Sequence, residues 1–168
     1  MEKSLNQENF LATRFKPHGR VTVWPEGNVV HLDLTGPFNR EFFSSLLILN
    51  EALYADLKGR GSFVEIAIFR HSMLMSLEAV TEFGKVLFER KICDHSPLAT
   101  AWVIGQDVDD AFIILPVAEK KFLEVGRPFK VFEAIGDAET WACEFLKEVS
   151  KHSVSESELN TLAGTQKN

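Results

Sequence analysis

Apolar and polar positions change period several times along the chain, and each change marks an element. Arg20 to Trp24 and Val29 to Thr35 are runs rich in Val, Leu and Thr, parted by Pro25, Glu26, Gly27 and Asn28, which predicts a β-hairpin. In its second strand Val30, Leu32 and Leu34 share one face, expected on the core. Val29, His31, Asp33 and Thr35 share the other, expected in water. Gly36-Pro37 ends the strand, and Asn39 is placed to cap a helix with Glu41 in its first turn, where the dipole favours an acid. Phe43, Leu46, Leu47, Asn50, Leu53, Tyr54 and Leu57 then recur at helical spacing until Gly59. Phe63 to Phe69 is apolar at nearly every position, which predicts a central strand covered on both faces.

Further on, Ser76 is placed to cap a second helix with Glu78 in its first turn and Leu77, Val80, Gly84, Leu87 and Phe88 as its buried stripe. Ala99 to Ile104 is another continuous apolar run. Asp109 or Asp110 opens a third helix bearing Ile113, Ile114, Val117 and Phe122, and Phe129 to Phe132 reads as a last short strand. Asp137 caps a fourth helix, whose stripe is Ala138, Trp141, Ala142, Phe145, Leu146 and Val149. A hairpin followed by alternating helices and strands implies parallel strands joined by right-handed crossovers, with one antiparallel partner. The expected class is α/β, a mixed sheet of about five strands with an N-terminal hairpin and four helices. Residues 1–15 read as a flexible arm, 16–151 as a single domain, and 152–168 as a disordered or short-helical tail in which Ser155 and Glu158 have capping-box spacing.

Composition narrows the class of protein. The 168 residues are 45% hydrophobic and 25% charged, the balance of a globular chain long enough to form a core without disulfides or metals. Cys93 and Cys143 are therefore expected as buried or half-buried thiols in a reducing, cytoplasmic setting. A net charge of -6 argues against a phosphate-neutralising surface, and the one short basic run is Arg14, Lys16, His18 and Arg20, so no nucleic-acid partner is expected. Met1 to Asn9 is polar, unlike a signal peptide, and no window reaches about 18 uncharged apolar residues, so no integral membrane segment is expected.

The candidate chemistry is sparse. His71, Cys93 and His95 lack the spacing that brings metal ligands or a nucleophile and base to one face. Gly59-Arg60-Gly61 follows a helix, the reverse of a phosphate loop. Asp107, Asp109 and Asp110 lack the Gly and Glu that close a calcium loop. No catalytic residue, metal or cofactor is assigned, and the chain is expected not to be an enzyme.

The compositional oddity is 14 Phe against one Tyr and three Trp. Such a set suits dry packing, because Phe asks for no hydrogen-bond partner. Phe38, Phe42 and Phe43 at a helix start, with Met73, Leu74 and Met75 in the loop after the central strand, either fill the core, wall an apolar pocket or form a sticky surface. The residues expected to bind a partner or ligand are Phe38, Phe42, His71, Met73, Leu74 and Met75. An exposed Met loop needs a cover, and a second copy is the nearest one, so a homodimer is expected, completed by the arm Phe10 to Phe15.

Three stretches together carry a family resemblance: Thr35-Gly36-Pro37-Phe38-Asn39 at a strand-to-helix junction, Ser76-Leu77-Glu78-Ala79 at a helix start, and Pro128 to Phe132 with Ala138 and Trp141. In this order, over about Arg20 to Lys147, the chain resembles the SpoIIAA-like, or STAS-type, fold group of bacterial anti-sigma-factor antagonists. The resemblance implies a (βα) superhelix acting as a regulatory or protein-binding module without catalysis. Antagonists of that group carry Asp-Ser-Ser-Gly after the central strand, where a Ser is phosphorylated; here the stretch is Leu74-Met75-Ser76-Leu77-Glu78. Ser76 alone matches by position, as a weak candidate phosphosite. A helix N-terminus favours a phosphate there, Glu78 opposes it, and a plain N-cap is the competing reading. The leading expectation is a non-catalytic interaction module that uses the loop Arg70 to Met75. The alternative is a carrier of a small apolar, lipid-like molecule between sheet and helices, and an enzyme of unknown class is a remote third.

Overall fold

The computed structural model describes the backbone of residues 5–6, 16–57, 61–93 and 96–164, and the side chains of residues 16–49, 61–93 and 96–151. Its strands lie in one sheet in chain order: β1 (Leu5–Asn6), β2 (Arg20–Glu26), β3 (Val29–Thr35), β4 (Val64–Arg70), β5 (Thr100–Ile104) and β6 (Phe129–Phe132). The pairs β1–β2 and β2–β3 are antiparallel, and β3 to β6 are parallel. The hairpin is tighter than the sequence suggested. Pro25 and Glu26 pair with Val30 and Val29, leaving a two-residue turn with Gly27 at φ 58°, a conformation glycine adopts without strain.

Strand order that follows chain order has a consequence for the layers. Right-handed crossovers all turn the same way, so α1 (Arg40–Leu57), α2 (Leu77–Ile92) and α3 (Ala111–Val125) fall on one face of the sheet. α4 (Ile135–Gly164) follows the last strand and covers the other. The pleat then sorts each strand. Ala67, Phe69 and Trp102 join the α1–α3 core, whereas Val64, Ile66, Ile68 and Val103 pack with Ala138 and Ala142 of α4. The expected α/β class, with a hairpin, a mixed sheet and four helices, is the observed one.

Several local expectations need correction. The odd face of β3 is not in water: His31 is buried, stacked on the Trp24 ring at 5.1 Å, because α4 returns across that face and places Glu139 Oε1 3.4 Å from His31 Nε2. α2 is turned from the expected stripe, burying Ala79, Phe83, Val86, Leu87 and Arg90 and leaving Leu77 and Phe88 outside. Apolar residues occur on both sides of that helix, so spacing alone did not choose the face; packing of Phe83 on Phe43 and Trp102 does. On α3 Ile114 and Phe122 point inward as expected, but Ile113 does not. Asp137 lies within the first turn of α4 rather than capping it. Cys93, the C-cap residue of α2, and Cys143, on α4, are exposed thiols. α4 runs on to Gly164, into the stretch read as a disordered or short-helical tail. Asn50, Leu53, Tyr54 and Leu57 have side chains outside the described set, as do Phe10 to Phe15.

Candidate functional site

The loops leaving β3, β4 and β5 meet at the carboxyl edge of the parallel strands, where α/β sheets form their binding crevices. They are laced by backbone bonds: Phe38 N–H donates to Leu74 O (2.8 Å), Met73 N–H to Asp109 O (2.9 Å) and Asp109 N–H to His71 O (2.7 Å). Ser72 Oγ donates to Asp110 Oδ2 at 2.7 Å. His71 (φ 63°) and Asp110 (φ 65°) both hold left-handed backbone in these two loops, a conformation that costs a non-glycine residue and that this lacing sustains. Gly36 is required by contact rather than by φ, since a Cβ there would collide with the Ser72 carbonyl oxygen.

Lacing fixes which way each loop side chain points. Met73 is fully buried in the α1–α3 core, which corrects its expected place on an exposed surface; the amide bond to Asp109 draws that residue inward. Leu74 points out, 46% exposed, near Leu77 and Phe112 (both 80% exposed) on the first turns of α2 and α3. Met75 is half-buried, and His71 is exposed. Phe38 and Phe42 are buried, their rings 4.6 Å apart, at one end of an aromatic row that continues through Phe43, Phe83, Trp102 and Phe122. Phe38, Phe42 and Met75 wall an apolar cavity of about 40 Å³ between the sheet and α1–α2.

Ser76 is the N-cap of α2: its Oγ accepts from Ala79 N–H at 3.2 Å. The backbone N–H of Glu78, and after it the Ser76 hydroxyl, hold the Glu78 carboxyl below its ordinary pKa, with a smaller contribution from Arg40. Asn39 caps α1 through Phe42 N–H (3.1 Å), as expected. Asp110 precedes α3 without capping it, since its carboxylate is engaged by Ser72.

The far end of the same cavity is charged. Glu65 of β4 and Arg90 of α2 both line it, joined by an Arg90 Nη2 to Glu65 Oε2 bond of 2.6 Å. Arg127, which follows α3, lies over the face of Phe122 (5.8 Å) and donates through Nη2 to Ser96 Oγ (3.0 Å). Thr100 pairs with Glu65 in the β4–β5 register. Burial pushes the Glu65 carboxyl up to about 7, opposed by the Arg127 charge. Burial and the like charge of Arg127 lower Arg90, and burial lowers Arg127 against the pull of Glu65, yet guanidiniums keep their protons at neutral pH. Among the described residues, Arg127 Nε and Nη1 and Thr100 Oγ1 are buried without a hydrogen-bond partner. Sequence reasoning missed this cluster. Its signals were a lone acid inside the apolar run Phe63 to Phe69, and an Arg seven residues after Phe83 on the same side of α2.

Other expected neighbours are not brought together. His71 precedes α2 and Cys93 ends it, and a helix of 16 residues separates its ends by about 24 Å; His95 lies outside the described residues. Among the described residues, no group of three His, Cys, Asp or Glu side chains could hold a metal ion, and no helix is long and apolar enough to cross a membrane. No protein-family model matches the chain, and no curated protein matches it.

Proposed function

We propose that the protein is a non-catalytic binding module of SpoIIAA-like type that carries a small apolar molecule between its sheet and α1–α2. The observation that carries this reading is the cavity, in which Phe38, Phe42 and Met75 stand at one end and Glu65 and Arg90 at the other. Its volume of about 40 Å³ exceeds the space a single water needs, and apart from Glu65 and Arg90 its walls are apolar, with adaptable Met and Phe side chains among them. Pockets for drug-sized ligands are several times larger, so loading requires α1 and α2 to give way from the sheet. Native mass spectrometry of the protein purified from its own cells tests the reading. A co-purifying apolar molecule supports it, and a bare chain that also fails to take up a fluorescent hydrophobic probe refutes it.

A second reading has its own observation: Leu74, in the loop tied to Asp110 through Ser72, and Leu77 and Phe112, on the first turns of α2 and α3, are all exposed. Apolar patches of this kind are covered in most soluble proteins, and a regulatory protein partner or a second copy of the chain fits the place. Sedimentation of the wild type against Leu74→Glu/Leu77→Glu separates these. A dimer that the double substitution dissociates supports self-association; a wild type that sediments as a monomer at tens of micromolar refutes it.

A further inference from the structure

Resting on the second reading above rather than on the carrier, we propose that the chain is a twofold homodimer closed through the outer face of α2. The two copies of that helix cross antiparallel at Gly84, and each Phe88 ring seats in the groove between α2 and α3 of the other copy.

Sequence spacing on α2 is the first ground. Opposite its buried residues Ala79, Phe83, Val86, Leu87 and Arg90 lies a second stripe, Leu77, Thr81, Phe88 and Ile92, at i, i+4, i+11 and i+15 on one side of the helix. Leu77, Phe88 and Ile92 are 80%, 56% and 65% exposed. The stripe reads the same from either end: the midpoint between Leu77 and Ile92 is also the midpoint between Thr81 and Phe88, and it falls between Gly84 and Lys85. A twofold axis there lays Phe88 on the other copy's Thr81 and Leu77 toward the other copy's Ile92, the self-complementarity that an isologous contact requires. At the crossing itself Gly84 carries no side chain to hold the two helices apart.

Room and area are the second ground. An open groove of about 380 Å³ lies beside Gly84, bounded by Val80, Thr81 and Phe88 of α2 and by Lys121 of α3. The Lys121 stem runs so close to Gly84 that a Cβ there would stand 3.2 Å from it. α3 extends the face with Phe112 and Leu123, both 80% exposed and spaced i, i+11 on one side of that helix. Seven of the nine large apolar residues exposed among the described residues lie on α2, on α3 or in the loop before α2. At roughly 100 Å² each they present about 700 Å² per copy. The polar side chains between them bring the face to the roughly 800 Å² per partner that a specific interface uses.

Charge is the third ground, and it selects a second copy as the occupant. The chain carries -6, so two copies repel unless they meet where that charge is absent. α2 balances Glu78, Glu82 and Glu89 against Lys85, Arg90 and Lys91, and α3 balances Glu119 and Glu124 against Lys120 and Lys121. α1 holds three acids to one base and α4 six acids to two lysines, which leaves those two helices acidic. Lys85, beside the axis, is already paired with Glu82 at 3.2 Å. A basic partner would find its complement on α1 or α4, whereas a neutral, self-matching apolar stripe fits the chain's own copy.

The test is sedimentation equilibrium of the full-length protein, with a cross-link as an independent reading. The wild type is expected to sediment as a dimer. Phe88→Glu should weaken dimerisation at least tenfold and leave the circular dichroism unchanged, because Phe88 is exposed in a single copy. In a Cys93→Ser/Cys143→Ser background, Lys85→Cys should join two copies by a disulfide on air oxidation, since the axis brings that position beside its own equivalent. A wild type that sediments as a monomer at tens of micromolar would overturn both the inference and the self-association reading. A dimer that Phe88→Glu leaves intact, and that Lys85→Cys does not cross-link, would overturn the inference alone and leave self-association standing elsewhere on the surface.

Discussion

Arg90 and Glu65 form a 2.6 Å ion pair across 25 residues of sequence, linking the last turn of α2 to the second position of β4 where neither meets water. The pair closes the charged end of a cavity that is otherwise hydrocarbon, and it fixes how α2 seats on the sheet. A charged pair so placed contributes little net stability, because desolvating both partners offsets most of their attraction, but it makes the fold sensitive to the loss of either one.

That sensitivity has a pH signature. Glu65 is raised from 4.5 to about 7 by burial, so between those values the native chain holds a proton that the unfolded chain has lost. Stability must then fall as pH rises through this window, by up to about 3 kcal/mol from this group alone. Urea midpoints at pH 5 and pH 8 measure it. Glu65→Gln should flatten the difference, and an unchanged slope in that variant would show that another group is responsible.

Single and paired removal should differ sharply. Arg90→Ala leaves the buried Glu65 without its hydrogen-bonded guanidinium and is expected to cost about 3 to 5 kcal/mol, whereas Arg90→Met combined with Glu65→Leu should come within about 1 kcal/mol of wild type or exceed it. Chemical denaturation of the three proteins decides the matter. If the double variant is as unstable as the single, the ion pair is a structural necessity.

The fold was legible because it rests on local signals: the hairpin runs, the doubly covered strands β4 and β5, the Asn39 and Ser76 caps and the Ala138–Ala142 stripe are all set by neighbouring residues. What sequence could not give depends on where α4 returns. His31 looks like part of an exposed strand face until a helix from the far end of the chain lies over it. α2 offered apolar residues in two directions, and the aromatic packing of Phe83 chose one. The candidate site was half legible. Phe38, Phe42 and Met75 do meet around one cavity, but Met73 was read as surface because its loop gave no sign that Asp109 draws it inward. Glu65 and Arg90 escaped notice because charged residues in apolar stretches point to a cluster only once their partner is known.

Two glycines give opposite expectations for the same substitution. Gly36→Ala pushes a methyl group into the Ser72 carbonyl and the Phe38 ring, parting the β3 and β4 loops, and should cost about 2 to 4 kcal/mol. Gly136, in the first turn of α4, has open space where a Cβ would stand, so Gly136→Ala should stabilise by about 0.5 to 1 kcal/mol through helix propensity. Paired thermal melts check both, and a neutral Gly36→Ala would mean that the loop lacing yields easily.

Adjacent residues in the β4–α2 loop provide the sharpest contrast. Met73 is fully enclosed and Leu74 is 46% exposed, although the two are similar in size and apolar character. Met73→Ala removes buried thioether contacts and opens a void beside the aromatic row, with an expected loss of about 2 to 5 kcal/mol. Leu74→Ala leaves no enclosed void and should change stability by less than about 1 kcal/mol. If Leu74 serves an interface, its loss will appear in sedimentation at high concentration rather than in the unfolding midpoint of the dilute chain. Comparable destabilisation by both substitutions would mean that the loop is packed on both sides, and the exposed patch would then lose Leu74 as its centre.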